Sequence, residues 1–326
     1  MASELIIGNN DVSYVFDGNS KYSNTAIQNF AYSTINRLWI YATQRVGGNT
    51  ILSKYCIDES TKKANLVSQI ILEGYGHGET LEVTNLGRND IEYVWVGSNC
   101  KETENGWSTR IARLLLDANG VTIHEVKYLK NFRNASMNGK ILGGSGTVNR
   151  LMACLSYNKS AMCFKINTVA EGTKGKVYKR FFSVYNFNKI NKMMNERADA
   201  ISMDELTGAV KSVVIGKYID GYQCMTMGMD NELFISSGNL NAGKDLYIKR
   251  YLLSAGESNM PNPTGSKKIE YSQEFAIHGN PQNAEMEGIK YNNGYIQFFS
   301  IIKEKDKLDA ANRVAIITRP AADILK

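Results

Sequence analysis

Residues 230–237 read DNELFISS, and residues 245–251 read DLYIKRY. Each stretch is a short apolar strand pattern that begins at polar turn residues, and a polar loop separates the two. The same unit occurs five times, at 36–42 with 50–55, 90–97 with 109–114, 149–155 with 161–166, 230–237 with 245–251, and 293–299 with 313–317. Such repetition indicates a fold built from one supersecondary unit.

The spacing of these units favours one repeat architecture over another. Equivalent points are Leu38, Tyr93, Leu151, Leu233 and Tyr295, which are 55, 58, 82 and 62 residues apart. A four-stranded propeller blade takes about 40–60 residues, so a β-propeller fits better than a solenoid. The spacing of 82 contains apolar residues at helical steps, which predicts an inserted helix. We therefore predict an all-β fold, a five-bladed β-propeller with a helical insertion near residues 188–208.

Five blades would use nearly the whole chain, so we predict a single domain over residues 1–326. The blades are expected at 27–73, 79–130, 135–219, 222–275 and 284–319. The first strand of the third blade is expected within 135–142. The fifth blade lacks an outer strand, which the N-terminal residues 4–8 or 12–16 could supply. That strand would close the ring and remove an exposed sheet edge.

Composition is ordinary for a folded chain, with 43% hydrophobic and 21% charged residues, which excludes a disordered one. The formal net charge is +6, and the Lys and Arg residues are scattered. There is no basic helix and no aromatic-plus-basic RNA motif, so we predict no nucleic-acid partner. A mild positive charge also permits attraction to anionic targets such as bacterial walls.

Several common classes of site and segment are missing from the sequence. No apolar run approaches the ~20 residues of a transmembrane helix, and the N-terminus lacks the basic and apolar regions of a classical signal peptide. The five cysteines form no Cys-x-x-Cys pair and are interpreted as buried free thiols. No phosphate-binding loop, dinucleotide fingerprint or His-Glu-x-x-His motif occurs, so we predict no metal site and no cofactor.

Polar residues recur at the start of the predicted first strands. Gln28, Gln223 and Glu285 each precede the equivalent point of their unit by ten residues, Glu79 has a comparable place, and Ser136 is the nearest match in the third unit. In a propeller the first strands line the central channel, so these groups should converge. One interpretation is a polar ring satisfied by water and backbone.

The other interpretation is a ligand site at one mouth of the channel. Its candidate ligand-binding residues are His77, Glu79, Gln28, Gln223, Glu285 and His278. A catalytic pair of Glu79 and Glu285 would suit glycoside hydrolysis, which requires a defined carboxylate separation. Three aromatic residues near turns, Trp107, Tyr75 and Tyr222, are candidates for stacking on sugar rings.

Three ordered segments carry a family resemblance: HGETLE at 77–82, QCMTMGMDNELFISS at 223–237, and AEMEGI at 284–289. YVWVG at 93–97 and RIAR at 110–113 add to them. On these segments the chain resembles the helveticin J family of large, heat-labile (class III) bacteriocins of Gram-positive bacteria. The third unit departs from the family pattern, because Asn134-Ala135-Ser136 stands where the family tends to place His-x-Glu.

The resemblance implies an antibacterial toxin that is secreted or released without a classical signal peptide. Our leading hypothesis is a toxin that binds a bacterial cell-surface glycan or receptor, with a homo-oligomer possible. One alternative is a glycoside hydrolase acting on wall polysaccharide, although the sequence leans against an enzyme. The other is a receptor-binding or structural subunit of a larger toxin or phage-tail-like particle.

Overall fold

The computed structural model describes residues 3–16, 26–87, 90–100, 106–117, 121–170, 177–197, 199–206, 208–215, 222–229, 231–272, 284–302 and 313–325. Most of the regular structure is β-strand. Within these ranges there are two short helices, α1 (Phe187–Glu196) and α2 (Ala322–Leu325). Single 3-10 turns lie at Asn9–Asp11, Phe132–Asn134 and Leu240–Ala242. Within the described ranges, no helix is long and apolar enough to cross a membrane.

The strands fall into five groups of mainly antiparallel neighbours. Two strands precede them, β1 (Ser3–Ile7) and β2 (Val12–Phe16). The first group is β3 (Ile27–Tyr32), β4 (Trp39–Val46), β5 (Asn49–Asp58) and β6 (Lys63–Leu72). The second is β7 (Leu81–Thr84), β8 (Ile91–Ser98), β9 (Arg110–Asp117) and β10 (Ile123–Lys130). A two-residue hairpin follows, β11 (Ser136–Met137) and β12 (Lys140–Ile141).

The remaining three groups follow the hairpin. The third is β13 (Thr147–Leu155), β14 (Ala161–Val169), β15 (Val177–Asn186) and, after α1 and β16 (Ala200–Ser202), β17 (Lys211–Val214). The fourth is β18 (Tyr222–Met227), β19 (Glu232–Asn239), β20 (Lys244–Leu252) and, after β21 (Gly256–Asn259), β22 (Gly265–Tyr271). The fifth is β23 (Ala284–Asn292), β24 (Tyr295–Ile302) and β25 (Arg313–Pro320).

The first strands of the five groups, which we call the inner strands, lie next to one another. Their order is β3, β7, β13, β18 and β23, and β23 is again a neighbour of β3. Side chains at the beginnings of these strands contact each other, as do side chains at their ends. We call the two ends of the assembly the start end and the finish end. Residues from all five groups therefore meet at each end.

Burial on both faces explains why many strands are continuous apolar runs. Every residue of β14 is buried, because other groups cover both of its faces. A strand in that setting carries apolar side chains on both sides instead of alternating. The core residues form several clusters, and the largest joins the third, fourth and fifth groups with β1 and β2.

The prediction for the third unit was wrong by one strand. Residues 147–155 form the inner strand β13, which lies between β7 and β18, and residues 135–142 form only the small hairpin β11–β12. Leu151 is therefore not equivalent to Tyr93, which lies in the second strand of its group, or to Leu38, which directly precedes the second strand of its group. First and second strands have similar length and apolar content, so the pattern alone does not distinguish them.

The helical insertion is shorter than the 188–208 segment suggested. The helix α1 ends at Glu196, and the chain then pairs in parallel with β10 through β16. The apolar residue Ile201, which fitted a helical spacing, is buried because β16 is an added strand of the second group. Tertiary pairing therefore replaced the last turns of the predicted helix.

The N-terminal strands join the last two groups. β2 pairs antiparallel with β25, so of the two alternatives for the missing outer strand, residues 12–16 supply it. β1 pairs in parallel with β22 and extends the fourth group. β2 also makes a short parallel contact with β6 of the first group. Parallel strands β16 and β21 cover the outer edges of the second and third groups in the same manner, which protects those edges from pairing with other chains.

Candidate functional site

A glycine-rich loop brings His77 and Glu79 to the start end. Gly76 and Gly78 have φ values of 92° and 82°, a region that favours glycine. A Cβ at Gly76 would also collide with the carbonyl oxygen of Gly106. The alternation of glycine with other residues in GYGHGE therefore folds this loop and turns the two side chains toward the inner strands.

Neighbouring strands hold the same loop by its carbonyl groups. The hydroxyl of Thr50 donates to the Gly76 carbonyl over 2.7 Å, and that of Thr43 donates to the Gly78 carbonyl over 2.6 Å. The hydroxyl of Ser108 donates to the Tyr75 carbonyl over 2.8 Å. The first two donors belong to the first strand group and the third lies just before β9. The loop is thus fixed between the first two groups.

Around this loop lies a set of contacting polar and aromatic side chains, which we call the mouth cluster: Arg45, His77, Glu79, Trp107 and Arg150. The His77 and Trp107 rings stack with centroids 4.1 Å apart, and the Arg150 guanidinium lies 3.6 Å from the Trp107 centroid. Arg45 Nη1 is 3.2 Å from His77 Nδ1. Because a guanidinium only donates, Nδ1 is the acceptor, and in that tautomer the proton lies on Nε2.

Glu79 is buried in this cluster, with 6% of its surface exposed. Its carboxylate forms an ion pair with Arg150, which donates to both carboxylate oxygens in a fork geometry. Its backbone carbonyl accepts from Asn29 Nδ2 over 2.6 Å and lies 3.8 Å from the Cys224 sulfur. Residues of the inner strands β3 and β18 therefore both contact Glu79 of the second group. Their side chains occupy the space between the inner strands just inside the start end.

A second polar contact joins the fourth and fifth groups. Glu285 Oε1 accepts from Gln223 Nε2 over 3.0 Å and from Asn239 Nδ2 over 2.7 Å. Both acidic candidates are thus already bound by protein donors. A carboxylate in such contacts must break them before it can exchange a proton with a substrate, which does not match an open catalytic pair.

Several buried polar atoms at the start end have no hydrogen-bond partner within the described part of the chain. Among them are Oε1 of Gln28 and the hydroxyl oxygen of Tyr222. The residues are 6% and 4% exposed. Buried polar atoms are nearly always hydrogen-bonded, so each of these atoms needs a water or a ligand as partner.

A buried lysine lies behind Tyr222. Lys165 Nζ lies 3.5 Å from the Tyr222 ring centroid, and the side chain is buried between the third and fourth groups. Burial lowers the pKa of Lys165 well below its usual range, and the nearby Arg150 guanidinium lowers it further. Burial likewise raises the pKa of the Tyr222 hydroxyl, so it remains a neutral donor.

The other residues that the sequence suggested for the site lie elsewhere, or their environment differs from the one expected. His278 lies outside the described residues. Ser136 sits in the β11–β12 hairpin and contacts Tyr185, so Arg150 occupies the place expected for it. Tyr222 is buried, which contradicts its interpretation as an exposed sugar-stacking residue. Trp107 is half-buried and already stacked on His77.

No sequence pattern pointed directly to Arg45, Arg150 or Asn239 as site residues. Arg150 would have been found had residues 147–155 been aligned as an inner strand, because it then faces Glu79 of the preceding group. Arg45 and Asn239 lie in second strands, for which no polar signature was expected. Within the described ranges, no group of three or more His, Cys, Asp or Glu side chains is placed to hold a metal ion.

Comparison with solved structures finds similarity in fold to other proteins. The tail fibre of Staphylococcus aureus phage P68 superposes with a TM-score of 0.56 at 14% identity, over 94% of this chain and 51% of that one. The chain thus spans about half the length of that tail fibre. A structure described as the Dos1 propeller gives a TM-score of 0.36 at 12% identity, over 88% of this chain and 58% of that one.

Sequence comparison identifies the family. The model of the bacteriocin helveticin-J family matches residues 15–308, so the chain belongs to that family. This confirms the resemblance drawn from residues 77–82, 223–237 and 284–289, all of which fall inside the match. A search of curated proteins finds no matching relative.

Proposed function

We propose that the protein is an antibacterial toxin, formed by a single five-bladed propeller, that binds a bacterial cell-surface glycan at the start end. Its membership of the helveticin-J family supports bacteriocin-like action outside the producing cell. The order of the inner strands, with β23 next to β3, supports the closed ring of blades. The site is the mouth cluster together with Gln28, Tyr222, Gln223 and Glu285.

The unpartnered atoms Gln28 Oε1 and Tyr222 Oη carry the assignment. A glycan offers hydroxyl groups that donate and accept, so it can satisfy an amide oxygen and a phenol hydroxyl together. The arginines of the mouth cluster add donors for ring oxygens or acidic substituents. The half-buried ring of Trp107 adds an apolar surface at the rim of the same site.

Binding to isolated cell walls of Gram-positive bacteria tests this proposal. Gln28→Met removes the unpartnered oxygen at similar volume, so we expect weaker wall binding, by about threefold to tenfold, with no loss of folding stability. Arg45→Met should also weaken binding. The matched controls Gln69→Met, on an outer strand, and Arg37→Met, whose side chain is 85% exposed, should bind as the wild type does.

Growth inhibition completes the test. The purified protein should inhibit at least one Gram-positive indicator strain, and Gln28→Met should inhibit it less. Wild-type protein that neither binds walls nor inhibits any indicator strain would contradict the proposal. Equal binding by Gln28→Met and wild type would contradict the site while leaving the toxin assignment standing.

The glycoside hydrolase alternative gives a different result in one assay. We expect no release of reducing sugar from walls by either wild type or Glu79→Gln, since both acidic residues are held by protein donors. Release by wild type that disappears in Glu79→Gln would establish an enzyme instead.

The particle-subunit alternative draws on the likeness in fold to a phage tail fibre. A toxin that acts on its own should inhibit bacteria as a purified single protein. Activity that appears only in a high-molecular-weight fraction containing other proteins would favour a subunit of a larger particle. Light scattering on the same sample measures its molar mass and so tests whether the protein forms a homo-oligomer.

A further inference from the structure

At the finish end, opposite the mouth cluster, the protein contains a cavity of about 170 Å³. Every strand group contributes to its wall, through Tyr32, Glu82, Leu155, Thr226 and Lys290 among others. Glu285 and Lys290 lie five residues apart on β23, which corresponds to about 16 Å along the strand. The cavity is therefore separate from the site at the start end.

One cation in this cavity is held in place by the protein. Lys290 Nζ donates to Glu82 Oε1 and to the Leu81 carbonyl, each over 2.6 Å. Both side chains of this ion pair are nearly buried, with exposures of 9% and 5%. The pair therefore forms a neutral part of the wall.

The second cation, Lys159, has no acceptor for its ammonium group within the described residues. It lines the cavity and lies near Glu82 and Lys290, and burial lowers its pKa. The carboxylate of Glu82 is already bonded to Lys290, so the lining carries one positive charge in excess. Glu92 lies behind the wall, where the Ser33 hydroxyl, the Thr34 backbone and the Tyr41 hydroxyl donate to its carboxylate.

Lys159 lies in the tight turn between β13 and β14. Its φ of 58° lies in the left-handed region, where a lysine is less favourable than glycine or asparagine. The turn is fixed because Lys159 N donates to the Ser156 carbonyl over 2.9 Å and the Ser156 hydroxyl accepts from Ala161 N over 3.0 Å.

The rest of the wall suits a small polar molecule. Tyr157 is 40% exposed at the rim and packs edge-on against Tyr291, with ring centroids 5.7 Å apart. The Thr226 hydroxyl accepts from Tyr291 N over 3.2 Å and retains a proton to donate. A cavity of about 150 Å³ is known to hold a molecule of benzene size, so this one has room for a group of about that size.

We propose that the finish-end cavity binds a small molecule or terminal group with one anionic head, a carboxylate or a phosphate, and that Lys159 supplies the charge that recognises it. The aromatic rim and the Thr226 hydroxyl contact the polar body of the ligand. This site is independent of the glycan site at the start end.

Isothermal titration of the full chain with two matched pairs of probes tests the proposal. Glucuronate and glucose form the pair that tests a carboxylate head group. Glycerol 1-phosphate and glycerol form the pair that tests a phosphate head group. At least one anion should bind more tightly than its neutral counterpart, and more weakly as salt increases. The anion that binds identifies the head group. Failure of both anions to exceed their neutral counterparts would overturn the proposal.

Variants of Lys159 complete the test. Lys159→Asn removes the charge at a backbone position that asparagine tolerates, so anion affinity should fall at least about tenfold while the thermal midpoint is unchanged or higher. Lys159→Arg should retain binding, and the control Lys63→Gln, an exposed lysine on β6, should bind as the wild type does. Equal anion affinity in Lys159→Asn and wild type would refute the role of Lys159.

Discussion

Lys54 shows how a single buried cation affects this fold. Its side chain is fully buried in β5, and its ammonium lies 3.5 Å from the Trp39 ring centroid. Burial lowers the pKa of Lys54 from 10.5 to about 8, although the Glu92 and Asp117 carboxylates act in the opposite direction. The charged form is therefore less favourable in the folded protein than in the unfolded chain, and the cation–π contact offsets only part of this.

Replacing this lysine should stabilise the protein in a pH-dependent way. The unfavourable term is fully present below pH 8, decreases between about 8 and 10.5, and is absent above 10.5, where both states are neutral. Lys54→Met should therefore raise the free energy of unfolding at pH 7 by about 1–3 kcal/mol, with the gain shrinking toward pH 10.5. Urea unfolding of both proteins across this range measures the difference.

The matched control is Lys249→Met, a half-buried lysine 5.2 Å from the Tyr247 ring centroid. Its effect should stay within about 0.5 kcal/mol at every pH, as for most surface substitutions. A gain for Lys54→Met that is the same at pH 7 and pH 10.5 would mean that packing, not charge, accounts for it.

At the scale of elements, α1 is held to the second strand group by one buried arginine. Arg113 Nη1 donates to the side-chain oxygens of Asn191 and Asn195, each over 2.8 Å. The Arg113 side chain is 1% exposed and its guanidinium lies 4.5 Å from the Tyr93 centroid. The helix therefore supplies acceptors that a buried guanidinium needs, in addition to packing Ile190 and Met194 into the core.

Removing one of these acceptors should destabilise the protein even when the new residue has the higher helix propensity. Alanine is the better helix former, yet Asn191→Ala should lower the free energy of unfolding by about 1–3 kcal/mol, because it leaves a charged donor without its partner. Asn188→Ala, an exposed position on the same helix, should be neutral or slightly stabilising. Chemical denaturation with hydrogen exchange on α1 measures both. Equal effects of the two changes would show that the bond to Arg113 adds no stability.

Hairpin units could be predicted from the sequence, but their assignment to first or second strands could not in every case. Turn residues and apolar runs locate β4 with β5 and β19 with β20 because both signals are local. The place of β13 between β7 and β18 depends on contacts between distant groups. The same difference between local signals and distant contacts applies to the site. Glu79 and Gln223 follow a repeated local pattern and could be predicted. Arg150, the partner of Glu79, can be recognised only when β13 is assigned as an inner strand.

At the scale of the whole molecule, the N-terminal strands connect the last two groups to the first. β1 lies against β22, and β2 lies between β25 and β6. Side chains alternate between the two faces of β1, so that Ile7 is completely buried and Ile6 is 59% exposed. The residues Leu5 and Ile7 belong to the largest core cluster, so this strand contributes to the common core as well as covering an edge.

Two neighbouring isoleucines test that contribution. Ile7→Ala should lower the free energy of unfolding by about 2–4 kcal/mol, because it opens a cavity in the core. Ile6→Ala should change it by less than about 0.5 kcal/mol, because that side chain faces solvent. Thermal and urea unfolding give both values. A loss at Ile7 no larger than at Ile6 would mean that β1 is not docked in solution.

The pairing of the first strands with the last ones also sets the order of events during synthesis. Residues 3–7 leave the ribosome long before residues 265–271, their partners, have been joined to the chain. At about 5–20 residues per second the interval is roughly 10–50 s. During it β1 has no partner strand, and β2 has only its short contact with β6, so a chaperone can bind them. A nascent chain cannot complete this architecture before β22 and β25 emerge, and translation arrest before that point yields a product with unpaired edges at both termini.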